Sequence, residues 1–409
     1  MNSLEHRRAK CRITLKDKKG LPMSGCSIHV ELQNHEFRFG SNIFWLVDML
    51  DPSVPAETRA LCEVFWEAWQ ELLNFATLPF YQKRYEPIEN QPRKEALMRA
   101  AKWLNDHGFT AKGHPLCWHE LSPEWLLGRS HDAVLENQLA RIRRDVGAFR
   151  GQVDIWDVIN ESVAMPNYDH DENAIAPLCR HMGRIPLIKT LFDTARETNP
   201  EATLLINDYS TGEDYRQVIE DCLEAGVCID AIGIQSHQHG SHWTEEKLAG
   251  VLERFSAFGL PLHFTENTIL SGAPMPKTVE FPNDYKPAEW ASTPEGEEQQ
   301  ARLILRMADT LFAHPQVEAF TTTWNFTDYG AWLGAPAGFL RKDGSRKPVF
   351  DAMKQRIRRD WHTSLDLMTD ENGCCTVEGF RGEYSLQCSG KKVAFTLSKD
   401  CQSQIVTFE

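Results

Sequence analysis

Two glutamates in this sequence stand at the ends of short, largely apolar runs, where a carboxylate can do chemistry. Glu161 ends the stretch VDIWDVINE (153–161), and Glu266 ends LPLHFTE (260–266). Runs of this composition favour buried strands, and the core of such a strand has no need of a charged end. Two carboxylates can divide acid, base and nucleophilic work when their environments give them different pKa values. Both residues are therefore candidates for catalysis.

Polar and aromatic side chains follow other apolar runs of the chain in the same way. These further candidates are His114, Asn160, Asn207, Gln235, His237 and Trp324. Amide and imidazole groups suit sugar hydroxyls, and an aromatic ring suits the apolar face of a pyranose. Two carboxylates flanking a glycosidic bond are the minimum for its hydrolysis, either retaining or inverting. The residues thus predict a sugar site whose chemistry requires no metal and no cofactor.

Eight short apolar runs alternate with amphipathic stretches over the middle of the chain. The predicted strands are 36–42, 72–78, 109–117, 153–160, 203–209, 229–237, 260–266 and 318–326. Helices are predicted between them, one of which follows Thr244 as its N-cap. Eight βα units predict a (β/α)8 TIM barrel, whose active site lies at the carboxyl ends of the strands. Glu161 and Glu266 would then face each other across the barrel mouth.

The two ends of the chain do not follow this alternation. CRITLKDKKGLPMSGCSIHVEL and TDENGCCTVEGFRGEYSLQCSGKKVAFTL read as strands that alternate around turns. Neither segment could bury an apolar face alone, so we expect them to pack together as a small β-sandwich. The predicted domains are residues 1–35 and 360–409 as the two halves of the sandwich and 36–359 as a catalytic barrel.

Composition and charge restrict the partners of this protein. With 44 Lys and Arg against 58 Asp and Glu, the net charge is -14, which disfavours nucleic acid. No window offers the ~20 apolar residues of a membrane span or a signal-peptide core, so we expect no membrane partner and a cytoplasmic protein, with secretion open if a leader was removed. The 11 cysteines lack paired zinc spacing, which favours reduced, mostly buried thiols. The sequence does not fix the oligomeric state.

Several motifs in succession resemble the strand-end motifs of glycoside hydrolase family 10, the retaining β-1,4-xylanases. They are GHPLCWH, WDVINE, INDY, GIQSH, FTEN and the pair Trp324 and Trp332. The resemblance implies an enzyme that cleaves β-1,4-xylosidic linkages in xylan or xylo-oligosaccharides, with Glu161 as acid/base and Glu266 as nucleophile. It also implies a cleft with these residues on the glycone side: His114, Trp118, Asn160, Gln235, His237, Trp324 and Trp332. Asn207 and Tyr209 would lie further along.

The assigned roles set requirements on the two glutamates. Glu161 must be protonated when substrate binds, and repulsion from the second carboxylate, together with poor solvation beside tryptophan, is expected to raise its pKa. Glu266 must stay ionised, with His237 as the expected hydrogen-bond donor. Asn160, next to the acid, is expected to hold the sugar 2-hydroxyl.

The region after the second predicted strand departs from the family pattern. Phe80 and Tyr81 stand at two polar positions, and Arg84 and Tyr85 replace a Lys-Trp pair. Arg84 is kept as a substrate-binding candidate. Fewer polar side chains are then available to bind the distal glycone sugars. This weakens the inference that the substrate is a long xylan chain.

Three further departures lie close to the predicted site. Glu120 and Leu121 replace a Ser-Gln pair, and Thr268 replaces an aspartate that supports the neighbouring histidine in relatives. A long proline-rich segment after strand seven, SGAPMPKTVEFPNDYKPAEWASTPEGE, is predicted to form a wall or lid over the cleft.

Other functions remain open at this stage. The same barrel could act on short oligosaccharides or on aryl and other small-molecule glycosides. His237, His239 and His242 have a spacing that resembles metal ligands, which would suit a metal-dependent TIM-barrel hydrolase. A barrel that binds sugar without catalysis would be free to lose one carboxylate, and both are present here.

Overall fold

The computed structural model describes residues 4–408. Two strands, β1 (Arg8–Lys16) and β2 (Ser27–His35), precede a closed barrel of eight parallel strands. The barrel strands are β3 (Arg38–Asn42), β4 (Phe75–Pro79), β5 (Thr110–His114), β6 (Ile155–Asn160), β7 (Thr203–Asp208), β8 (Ala231–His237), β9 (Leu262–Thr268) and β10 (Val317–Asn325). They pair in chain order, and β10 closes the ring on β3. Each predicted strand overlaps one of these, and the predicted TIM barrel is confirmed.

Helices follow the barrel strands, and the longer ones pack one apolar face against the outside of the barrel. They are α1 (Trp45–Met49), α2 (Ala56–Leu72), α3 (Gln82–Tyr85), α4 (Lys94–Asp106), α5 (His131–Phe149), α6 (Ile175–Met182), α7 (Arg184–Thr198), α8 (Glu213–Glu224), α9 (Glu245–Ser256), α10 (Pro294–Phe312) and α11 (Pro348–Gln355). The Thr244 hydroxyl accepts the Lys247 N–H at the start of α9, as an N-cap does, and Leu248 and Phe255 are buried on its inner face.

Strands from both ends of the chain form two further sheets. The C-terminal strands are β11 (Ser364–Met368), β12 (Cys374–Phe380), β13 (Gly382–Cys388), β14 (Lys391–Leu397) and β15 (Ser403–Thr407). One sheet has the order β12-β1-β15 and the other β11-β2-β13-β14, so each N-terminal strand lies between C-terminal ones. The expected pairing of the two ends in a small β-structure is confirmed, while the domain boundaries at residues 35 and 359 stay a prediction.

One cysteine pair corrects the expectation of reduced thiols. Cys11, in β1, and Cys401, just before β15, form a disulfide across 390 residues of sequence. The parallel pairing of β1 with β15 brings them together, which spacing along the chain could not reveal. The other nine cysteines are free. None of the helices among residues 4–408 is long and apolar enough to cross a membrane.

Candidate active site

The two candidate carboxylates lie at the carboxyl ends of β6 and β9, three strands apart in the ring of eight. Glu161 follows β6 with a φ of 57°, in the left-handed region that non-glycine residues seldom adopt. Its N–H donates to the Asn207 carbonyl at 2.8 Å, which holds this turn against the next strand. Glu266 lies within β9 and is 4% exposed. Both side chains therefore lie at the barrel mouth.

Three side-chain donors hold the Glu161 carboxyl group. Trp118 Nε1 donates to Oε2 at 2.9 Å, while Asn160 Nδ2 and Gln235 Nε2 donate to Oε1 at 3.2 and 3.1 Å. Each donor comes from the end of a different strand, so closure of the barrel fixes the position of this carboxyl group. Trp118 was expected to line the cleft, and in the structure its indole N–H bonds directly to the acid.

The pKa of Glu161 is raised well above the usual value of a glutamate. Burial is the largest cause, followed by repulsion from Glu120 and Asp208, and Gln235 opposes the shift by donating a hydrogen bond. Repulsion from Glu266 contributes less than these. The expected repulsion from the second carboxylate is therefore present, but Glu120 acts on the pKa of Glu161 more strongly.

Glu266 is held in the opposite state. Asn207 Nδ2 donates to Oε1 at 3.0 Å and His237 Nε2 lies 3.1 Å from Oε2, with His114 Nε2 3.7 Å from Oε1. Burial alone would raise the pKa of Glu266, but the attraction of His114, the hydrogen bond and charge of His237, and the charge of Lys112 outweigh it and lower the pKa. This carboxylate is therefore kept ionised.

Thr268 takes the place of the missing aspartate beside His237. Its hydroxyl lies 2.7 Å from His237 Nδ1, while Nε2 of the same ring faces Glu266. In the neutral ring, whose Nε2 carries the proton that Glu266 accepts, Nδ1 accepts the hydroxyl proton of Thr268, and in the charged ring Nδ1 donates to the hydroxyl oxygen. Thr268 can thus orient this imidazole in place of the aspartate that the sequence resemblance implied.

A buried ion-pair chain that sequence analysis did not single out lies beneath the site. Lys112 Nζ and His114 Nδ1 both lie 2.6 Å from Asp157 Oδ2, and none of the three side chains is more than 1% exposed. Lys112 and His114 are two residues apart on β5, so they point to the same face of the strand. The sequence signals for this ion-pair chain were the two-residue spacing of Lys112 and His114 and the second acid, Asp157, inside WDVINE. Asp157 orients His114 towards Glu266.

Asn207 lies deeper in the site than the sequence predicted. It was expected further along the cleft, in contact with sugar, but it is completely buried. Its Nδ2 donates both to Glu266 and, at 2.7 Å, to Asn160 Oδ1. Asn207 therefore supports the carboxylate from below. Tyr209, by contrast, is 52% exposed. Burial of its hydroxyl end, and then repulsion from the Glu161 carboxylate, raises the pKa of Tyr209.

Aromatic rings line the mouth around these carboxylates. Tyr81 is 8% exposed and lies 5.3 Å from the ring of His114 and 5.7 Å from that of Trp118. Trp324 contacts His114 at 5.4 Å, and Trp332 contacts the ring of His237 at 5.0 Å.

The residues after β4 are divided between the site and the core. The exposed Arg84 guanidinium lies 6.0 Å from the Tyr81 ring, so both reach the cleft edge. Phe80 is fully buried against Phe149 and other rings, and the Tyr85 hydroxyl donates to the buried Asp145. Of the two residues at the polar positions, only Tyr81 faces the site.

The histidines that suggested a metal do not converge. Among residues 4–408, one group of at least three His, Cys, Asp or Glu side chains brings ligand atoms within 4.8 Å of one another, and it consists of His119, Glu120 and Glu161. His239 is 5% exposed, and burial lowers its pKa to about 3. The HQHGSH spacing therefore reflects packing rather than a common ligand set.

The chain also matches a known protein family. The model of glycosyl hydrolase family 10 matches residues 83–356, about two thirds of the chain. The chain belongs to glycosyl hydrolase family 10. The resemblance of its motifs to this family and the prediction of a glycoside hydrolase are thereby confirmed.

Relatives of this family 10 protein are recognisable at low identity. It is 27% identical over 292 residues to an endo-1,4-beta-xylanase/feruloyl esterase of Xylanibacter ruminicola, covering 65% of this chain and 39% of that protein. It is 28% identical over 300 residues to endo-1,4-beta-xylanase B of Thermotoga neapolitana, covering 71% and 79%. The chain thus spans less than half of the first relative. A solved family 10 structure from Paenibacillus barcinonensis superposes with a TM-score of 0.63 at 21% identity, covering 79% of this chain and 96% of that one.

Proposed function

We propose that this protein hydrolyses β-1,4-xylosidic linkages with retention of anomeric configuration. The observation that carries the proposal is that Glu161 and Glu266 lie at one barrel mouth, joined by hydrogen bonds of Asn160, Asn207 and Gln235. Their surroundings agree with separate roles, because they raise the pKa of Glu161 and lower that of Glu266. Pairs of carboxyl groups separated in this way can act as acid and nucleophile. The xylanase names of the relatives support the choice of a xylose-based substrate.

Each carboxyl group has a defined part in the proposed reaction. Protonated Glu161 donates its proton to the glycosidic oxygen as the bond to the anomeric carbon breaks, and Glu266 bonds to that carbon. Glu161, now ionised, takes a proton from water, whose oxygen displaces Glu266 from the anomeric carbon. The sugar leaves with its original configuration, and both glutamates return to their starting states.

The surrounding side chains position the sugar in this proposal. Asn160 Oδ1 accepts from Asn207 and Gln235, and one of its N–H groups donates to Glu161. Its other N–H would donate to the sugar 2-hydroxyl, a bond that strengthens as oxocarbenium character develops. Trp324 and Trp332 would contact the apolar sugar face.

Replacement of each glutamate by alanine tests the assignment. Glu266→Ala should abolish turnover of every substrate. Glu161→Ala should lower kcat on xylo-oligosaccharides by about 100-fold or more, but should spare the first step on aryl xylosides with strongly acidic leaving groups, which need no proton. Steady-state and burst kinetics measure this, and NMR gives the product anomer.

The matched control for these variants is Glu124→Ala, an exposed carboxylate paired with Lys83, which should keep full activity. Equal loss of activity on substrates with either kind of leaving group would contradict the role of Glu161 as the acid. An inverted product would contradict a covalent intermediate on Glu266.

A further inference from the structure

A closed loop follows β9, on the side of the barrel where the candidate carboxylates lie. We call residues 273–291 the strap. Its two ends meet where Gly272 pairs with Ser292 and where the Thr293 N–H donates to the Ser271 carbonyl at 2.9 Å. A loop with joined ends that packs on its own side chains behaves as a unit.

The strap has an apolar core of its own. Trp290 is 7% exposed, its Nε1 donates to the Ala273 carbonyl at 2.8 Å, and its ring lies 4.7 Å from that of Tyr285. The Met275 N–H donates to the His239 carbonyl at 2.7 Å, which ties the strap to the end of β8. These contacts fix the direction in which the strap leaves the barrel.

The tip of the strap joins two sides of the mouth through one residue. Asn283 Nδ2 donates to Glu120 Oε2 at 3.0 Å, and Trp332 Nε1 donates to Asn283 Oδ1 at 2.9 Å. Glu120 lies beside Glu161, and Trp332 contacts His237, which bonds to Glu266. Asn283 therefore connects the surroundings of one catalytic carboxyl group to those of the other.

A second contact holds the tip beyond the site. The ring of Phe281 stacks on His170 at 4.0 Å with an interplanar angle of 9°, and His170 Nε2 lies 3.4 Å from Asp284 Oδ1. His170 belongs to the loop after β6, on the same side of the mouth as Glu161. The strap is thus fastened at both ends of its span.

The strand order shows what the strap spans. It leaves from β9 and reaches Glu120, after β5, and these strands are four apart in a closed ring of eight. Strands four apart lie on opposite sides of such a ring, so the strap crosses the mouth. A polymer that is bound through an internal sugar unit continues in both directions from the site, so it must enter an open groove from the side. Where a loop covers the groove, a sugar chain can enter only by its end.

We propose that the strap, through Asn283, restricts this site to chain ends, short xylo-oligosaccharides and small β-xylosides. The inference rests on the proposed function and names the form of its substrate.

Two variants test the restriction, Asn283→Ala and a shortened strap in which residues 278–288 are replaced by four Gly and Ser residues. The control is Lys277→Ala, an exposed strap residue outside the tip. Each is assayed for kcat/KM on soluble xylan and on an aryl β-xylobioside, and xylan viscosity is followed against reducing ends. Unfolding curves verify that each variant is folded, and Asn283→Ala alone carries the test if the shortened strap does not fold.

The wild type should release reducing ends from xylan with little loss of viscosity. Shortening the strap should raise kcat/KM on xylan at least 10-fold, with Asn283→Ala giving a smaller rise, while the aryl substrate changes less than 3-fold and the control changes neither. Rapid loss of xylan viscosity with the wild type would overturn the proposal. So would a shortened strap that leaves the ratio of kcat/KM between xylan and the aryl substrate unchanged, or that lowers kcat/KM equally on both. No hydrolysis of either substrate by the wild type would instead contradict the proposed function, and the strap proposal would fall with it.

Discussion

At the scale of single residues, two identical side chains differ because of what surrounds them. Glu161 has burial and two nearby carboxylates, whereas Glu266 has two histidines and a buried lysine. Three amides, those of Asn160, Asn207 and Gln235, link the two carboxyl groups by hydrogen bonds. The neutral amides hold both groups in place, and the charged neighbours decide which group keeps a proton.

Removal of the Glu120 charge tests this on the basic limb of the pH profile. Burial and then repulsion from Asp171 raise the pKa of Glu120, and its ionised carboxylate disfavours the ionised form of Glu161. Glu120→Gln should therefore lower the pKa of Glu161, and because the proposed mechanism requires protonated Glu161, the basic limb of the kcat/KM profile should move to lower pH. On that limb, kcat/KM of the variant should fall several-fold below that of the wild type at the same pH.

The profile is measured on a xylo-oligosaccharide, whose leaving group needs protonation. Glu124→Gln, an exposed carboxylate, is the control and should leave the limb in place. A limb that stays in place for Glu120→Gln as well would mean that Glu120 does not act on Glu161.

At the scale of elements, parallel strands bring charges together inside the barrel. Lys112 from β5 and Asp157 from β6 meet where no water competes, and neither side chain has any exposed surface. Burial alone would raise the pKa of Asp157, but Lys112 and His114 lower it. Loss of one partner from such a pair leaves an uncompensated buried charge.

Lys112→Met should therefore destabilise the protein by about 3–5 kcal/mol. Urea unfolding at pH 7 measures the change. The control is Lys83→Met, which breaks the exposed pair with Glu124 and should cost no more than about 1 kcal/mol. A similar small cost for both variants would show that Asp157 finds compensation without Lys112.

At the scale of the whole molecule, the terminal sheets and the barrel share an aromatic interface. His35, at the end of β2, contacts the rings of Phe39, Phe312 and Phe380 at 5.6–6.0 Å. Trp361 stacks on Phe312 at 4.2 Å. Arg7 Nε and Nη2 donate to carbonyls of Phe312 and neighbouring residues at the base of the barrel. Both ends of the chain are thereby fixed to one face of the barrel.

This interface makes stability depend on pH. Burial lowers the pKa of His35 to about 3, against about 6.5 in an unfolded chain. The unfolded state takes up the proton first as pH falls, so the contribution of His35 is complete above pH 6.5 and is lost towards pH 3, by about 1 kcal/mol per pH unit. His35→Phe keeps the aromatic contacts and should remove this slope.

Urea unfolding at several values between pH 7.5 and 5 gives the two slopes. Phe37→Leu, at a buried ring of the same interface that does not titrate, is the control and should keep the wild-type slope. Parallel curves for His35→Phe and the wild type would show that His35 is not buried in its neutral form.

The sequence by itself determined the eight barrel strands, the sheets at the two ends and the motifs that carry both glutamates. These features follow from local patterns, since hydrophobic alternation and strand-end polar residues are properties of short stretches. Glu161 and Glu266 could be singled out because each stands where a strand ends.

The tertiary structure alone decided which groups are neighbours. Burial and barrel closure placed Glu120 beside Glu161 and turned Asn207 below Glu266, and the pairing of β1 with β15 joined Cys11 to Cys401. The strap tip reached Glu120 for the same reason, from 163 residues away along the chain. Such contacts depend on the packing of whole elements in three dimensions, and a one-dimensional pattern does not record the distances that set a pKa or close a cleft.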